Sequence, residues 1–203
     1  MGKKAVLKTD IMLLDRTIIT RKKRFGIDLY TDLNDITCQQ DFYATTDATI
    51  SIIRPELLSL DREIRALDGK RLCAKGNLDL AQAIRREAFP SPAANWKEKA
   101  ANASKGAGFA ANEAKIKTEM KVIETQLNAM KEQFGIRIFP ILQSHFGTSA
   151  GPTEIHSSTD AVVNRIRERY QTCKSEIIEI NRKKIQKEAI IDQLDVDVSL
   201  RRI

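Results

Sequence analysis

The chain has 203 residues, 42% of them hydrophobic and 30% charged, with aromatic side chains at only 5%. That apolar content can fill a core and excludes wholesale disorder, and the preponderance of Ala, Ile, Leu, Lys, Glu and Arg predicts an all-α fold rather than a β-sandwich. A formal charge of +7 and a pI near 9.4 favour acidic partners, either an anionic membrane surface or nucleic acid.

Near the start, Leu7, Ile11, Leu14, Ile18, Arg21 and Phe25 alternate at spacings of four and three, the a/d seam of a heptad. This predicts a helix over residues 4–36. Val6, Met12, Leu13 and Ile19 are expected to widen its buried edge, as suits a bundle of several helices. The run RKKR, formed by Arg21, Lys22, Lys23 and Arg24, is a candidate patch for a partner or an anion. MGKKAV begins like a myristoylation signal, but Val6 stands where Ser or Thr belongs.

After the polar stretch TCQQDFYATTD a second seam follows through Ile50, Ile53, Leu57, Leu60, Ile64 and Leu67. Thr46 and Asp47 supply side-chain oxygens suited to a helix start. Pro55 requires either that this helix begin near Arg54 or that it kink there. Cys38 and Cys73 are expected near helix ends, with Arg71 and Lys75 flanking the latter. Residues 89–112 read as a Pro/Ala/Gly-rich linker, broken at Pro90 and Pro92 and hinged around Gly106 and Gly108, with Trp96 as a candidate contact. Within it Ala100, Ala103 and Ala107 suit either a short closely packed helix or a flexible connection.

A shift of 109 residues then overlays the first helix on a third. Leu7-Lys8-Thr9-Asp10 meets Ile116-Lys117-Thr118-Glu119, and Phe25-Gly26-Ile27 meets Phe134-Gly135-Ile136. A shift of 113 overlays the second helix on a fourth, so that Ile50, Ile53, Leu57, Leu60, Ile64 and Leu67 align with Val163, Ile166, Tyr170, Cys173, Ile177 and Ile180. The chain is therefore expected to be a duplicated long helical hairpin: a first hairpin at 1–88, a linker at 89–112 and a second hairpin at 113–203. A four-helix bundle and an elongated coiled-coil-like pair both satisfy that pattern. Phe25, Gly26, Phe134 and Gly135 are the expected packing elements of the repeat.

Differences between the copies are where a partner would act. Opposite RKKR stand Met130, Lys131, Glu132 and Gln133, so the basic cluster is not part of the repeat. In the last helix Lys184 and Lys187 occupy seam positions, next to Arg182 and Lys183. Buried unpaired ammonium groups are costly, so this stretch is expected to project or fray and to offer a docking site for another chain.

Catalytic patterns are missing from the sequence. His145 and His156 lie in the polar run HFGTSAGPTEIH without metal-ligand spacing, and there is no phosphate loop. Cys173 falls on a seam as a small apolar group, and Asp61 and Glu63, two apart on a helix, do not face each other. No catalytic residue, metal or cofactor is expected. Scattered cysteines, the lack of an apolar leader and the absence of about 18–20 consecutive apolar residues suggest a cytoplasmic chain with no transmembrane segment. These features together suggest a non-enzymatic scaffold or adaptor, with a protein partner or a second copy of itself and peripheral contact with an anionic membrane. The alternative is a basic nucleic-acid-binding helical protein.

Overall fold

A computed structural model describes the backbone of residues 2–37, 47–88, 96–148 and 158–200, and the side chains of 2–34, 47–88, 105–147 and 161–196. The described chain is all-α: α1 (Lys3–Thr37), α2 (Ala48–Ala88), α3 (Trp96–Thr148) and α4 (Ser158–Leu200), with no strand among the described residues. They belong to two compact units, one built from Met1–Leu58 with Lys131–Ile203 and the other from Ser59–Met130. Each unit draws on both sequence copies, and the division falls inside α2 and inside α3.

In the first unit α1 and α4 run antiparallel. A ladder of ion pairs fixes their register: Lys4 with Asp195, Asp10 with Lys187, Asp15 with Lys184, Arg21 with Glu176 and Asp32 with Arg169. The first helix of one copy thus pairs with the second helix of the other. The buried core starts at Phe25, the last position of the predicted seam. Beyond Phe25 the spacing changes to four and four, through Leu29 and Leu33 with Tyr30 beside them, and α3 repeats this with Phe134, Ile138, Phe139 and Leu142. Such spacing widens the buried face, which a helix needs once it meets more than one neighbour. Ile50, Ile53 and Leu57 of α2 and Val163, Ile166 and Tyr170 of α4 complete the core.

At its centre α1 and α3 cross at Gly26 and Gly135. A Cβ at Gly26 would overlap the Lys131 carbonyl and the Gly135 backbone; one at Gly135 would overlap the Lys22 carbonyl and the Gly26 backbone. Lys22 and Lys131 are themselves repeat partners, so the crossing is symmetric. The same symmetry sets the Lys22 ammonium 5.0 Å from the Phe139 ring centre and the Lys131 ammonium 5.0 Å from that of Tyr30. Only glycine at both positions lets the backbones come this close.

In the second unit the seam of α2 continues past Leu67 to the buried Ala74 and Ala81, while α3 contributes Ile123 and Leu127. Glu113 is buried against Arg85, which donates to it at 3.1 Å.

Several expectations need correcting. Asp47 does cap α2, accepting from the N–H groups of Thr49 and Ile50 at 2.7 and 3.2 Å. The helix nevertheless starts at Ala48, so Pro55 lies inside it, where the ring leaves the Ser51 carbonyl without its usual donor. Gly106 and Gly108 lie within α3, which is helical from Trp96. The tolerable cost of about 1 kcal/mol for a helical glycine explains why they need not form a hinge. Pro90 and Pro92 fall outside the described residues. Cys73 is exposed in the middle of α2, and Cys38 lies outside the described residues. His145 belongs to the last turn of α3, where Nε2 lies 3.0 Å from the Thr49 hydroxyl. His156 is outside the described residues.

Candidate interaction surfaces

A helix turns about 100° per residue, so four consecutive basic residues cannot share one face. The structure separates RKKR accordingly. Arg21 reaches Glu176 at 3.6 Å, Lys22 lies over Phe139, and Lys23 pairs with Glu132 of α3 at 2.8 Å. Arg24 is exposed and has no ion-pair partner among the described residues. Three of the four charges are therefore spent inside the molecule, and no continuous basic patch results.

Arg21 and Arg24 do line a cleft of about 240 Å³ between α1 and α4, together with Asp28, Arg169, Cys173 and Glu176. Two of its three arginines are paired, Arg21 with Glu176 and Arg169 with Asp32. Arg169 donates twice to Asp32, at 2.7 and 3.3 Å, and that bond is the main cause raising its pKa. Burial pushes the Cys173 thiol up to about 11, and the thiol faces the Arg21 carbonyl at 3.8 Å. A thiol held protonated makes a poor nucleophile. Tyr170, also pushed up by burial, has its hydroxyl enclosed without a hydrogen bond among the described residues, in a row of rings with Phe139 and Phe146. Among the described residues no group of three His, Cys, Asp or Glu side chains is arranged to hold a metal ion.

The lysine-bearing end of α4 does not project or fray over the described residues. Lys184 donates to Asp15 at 2.7 Å and Lys187 to Asp10 at 2.6 Å, both half-buried on the seam. Carboxylates on α1 answer the ammonium groups that the sequence of α4 leaves unmatched. The missing signal was in the other helix, at the positions flanking the first seam. Arg182 pairs with Glu179 on its own helix, and Lys183 is exposed. Trp96 opens α3, its side chain outside the described residues.

Another surface escaped the sequence reading altogether. Val6, Met12, Leu13 and Ile19 do not widen the buried edge of α1; they are 48%, 59%, 52% and 49% exposed. Two-helix packing here uses only the narrow seam of Leu7, Ile11, Leu14 and Ile18, and the opposite side of α1 faces solvent. No helix among the described residues is long and apolar enough to cross a membrane. Comparison with protein-family models, curated proteins and solved structures finds no match to this chain.

Proposed function

We propose that the protein is a non-enzymatic helical scaffold or adaptor that holds partners through the solvent faces of its long helices. The observation that carries this is the surplus of apolar surface after the seams are closed. Leu72 and Leu80 of α2 remain 64% and 61% exposed, and Ile185 and Val196 of α4 remain 64% and 56% exposed. Exposed aliphatic groups mark a contact surface where they recur along one side of a helix, as Leu72 with Leu80 and Ile185 with Val196 do at about 100° per residue. The cleft between α1 and α4 is compatible with the same role, since Arg21 and Arg169 are paired with carboxylates and burial keeps its thiol protonated. Nucleic-acid binding would need several lysines or arginines free to meet successive phosphates. The cluster at 21–24 offers only Arg24, and the other exposed cations of α1, Lys3, Lys8 and Arg16, border exposed aliphatic groups that a phosphate backbone would not cover.

Crosslinking in cells, combined with analytical ultracentrifugation of the purified chain, tests the scaffold role. The expected result is a reproducible assembly, with a partner or a second copy, that Leu80→Asn or Ile185→Asn weakens while helicity is unchanged. A compact monomer with no reproducible partner would overturn it.

A further inference from the structure

Deepening the scaffold role proposed above, on which it rests, we infer that the outward face of α1 over residues 5–20 docks on an anionic phospholipid surface. At about 100° and 1.5 Å per residue, Ala5, Val6, Thr9, Met12, Leu13, Arg16, Ile19 and Thr20 share one arc of roughly 140° and a length of roughly 22 Å. The large apolar members are each about half exposed.

Charge on this face is of one sign. The acids of α1 in this stretch, Asp10 and Asp15, lie at the flanks and are neutralised by Lys187 and Lys184 of α4. Arg16 stands within the arc, with Lys8 and Lys3 along its borders, all three exposed and without an ion-pair partner among the described residues. Their long stems let the charged heads reach phosphate while the aliphatic groups enter the acyl boundary.

The hydroxyls on this side are already satisfied. Thr9 donates to the Ala5 carbonyl at 3.0 Å, Thr17 to Leu13 at 2.8 Å and Thr20 to Arg16 at 2.9 Å. Burying them in an interface leaves no donor unpaired, and their methyl groups add to the apolar surface. The face has no aromatic anchor, which a protein hot spot would use.

The second copy is an internal control. Where the first has Val6, Met12, Leu13 and Ile19, the second has Lys115, Lys121, Val122 and Asn128. The shared fold does not require an apolar outer face, so its presence in α1 serves a contact outside the chain. Beyond this stretch Lys23, on the same arc, is taken by Glu132 of α3, and there the open face ends.

The full chain should co-float with phosphatidylcholine–phosphatidylserine vesicles at low salt, less so as salt rises, and not with phosphatidylcholine alone. The triple variant Met12→Asn/Leu13→Asn/Ile19→Asn should keep its helicity and melting temperature yet lose binding by roughly tenfold or more. Val122→Asn, in the aligned position of the other copy, should bind as the parent does. Lipid docking is overturned if no anionic-lipid-dependent flotation appears, if the triple variant binds equally, or if the same substitutions instead dissolve a dimer of the lipid-free chain. Lost flotation with the crosslinked assemblies intact would remove the lipid contact and leave the scaffold role standing.

Discussion

Gly26 and Gly135 each occupy a helix interior, where an exposed glycine would gain roughly 0.5–1 kcal/mol on replacement by alanine. Here the added methyl would meet backbone atoms, which no rotamer change can move aside. Gly26→Ala and Gly135→Ala should each destabilise the protein by about 2–3 kcal/mol in urea melts, and equal stabilisation would show that the crossing is loose. The thiols offer a second residue-level test. With Cys173 shifted from 9.0 to about 11, its thiolate fraction at neutral pH falls about a hundredfold, and its burial slows attack further. In a Cys38→Ser background, Cys73 should react with a maleimide at an ordinary rate while Cys173 lags by at least that factor. The repeat made Phe25, Gly26, Phe134 and Gly135 legible in the sequence, because chance does not place Phe-Gly-Ile at both seam ends. It could not show that the two glycines touch each other, since a repeat reveals equivalence and not contact.

Lys184 and Lys187 act at the scale of the helix pair. A polar group on a seam costs stability and in exchange fixes register and partner number. Replacing both by leucine should permit slipped or higher-order assemblies, visible by sedimentation; an unchanged oligomeric state would contradict this. The pH dependence has a definite sign. The hydrogen bond to Asp15 raises the Lys184 pKa above its ordinary 10.5, so the stabilisation is complete below that value and vanishes as pH climbs through the folded one. Alkaline melts of the parent should lose stability over that window more steeply than those of Lys184→Met. Heptad spacing alone supplied the existence and approximate span of α1 and the existence of α2. It misjudged Val6, Met12, Leu13 and Ile19 because a wide apolar edge on paper does not say whether one helix or several will cover it. It misjudged residues 96–112 because alanine-rich text with isolated glycines is compatible with a helix when neighbouring turns continue on both sides.

Across the molecule, the copies are recognisable in sequence but the units are not, because each unit takes segments from both. Heptad phase records which side of a helix is buried and is silent about which helix buries it. Within the first unit the outer stretches of α1 and α4 hold only half-buried seams, whereas residues 25–33 and 134–142 include fully buried positions. Hydrogen exchange should therefore show 3–20 and 180–196 opening together and faster than those inner segments; independent opening of the two would refute their pairing.

The clasp between Lys4 and Asp195 spans 191 positions of sequence. During synthesis α1 leaves the ribosome long before the helix that completes its seam exists, and at about 5–20 residues per second the wait lasts roughly 10–40 seconds. For that interval the nascent chain exposes both sides of α1 at once, so α4 decides when α1 becomes safe from aggregation.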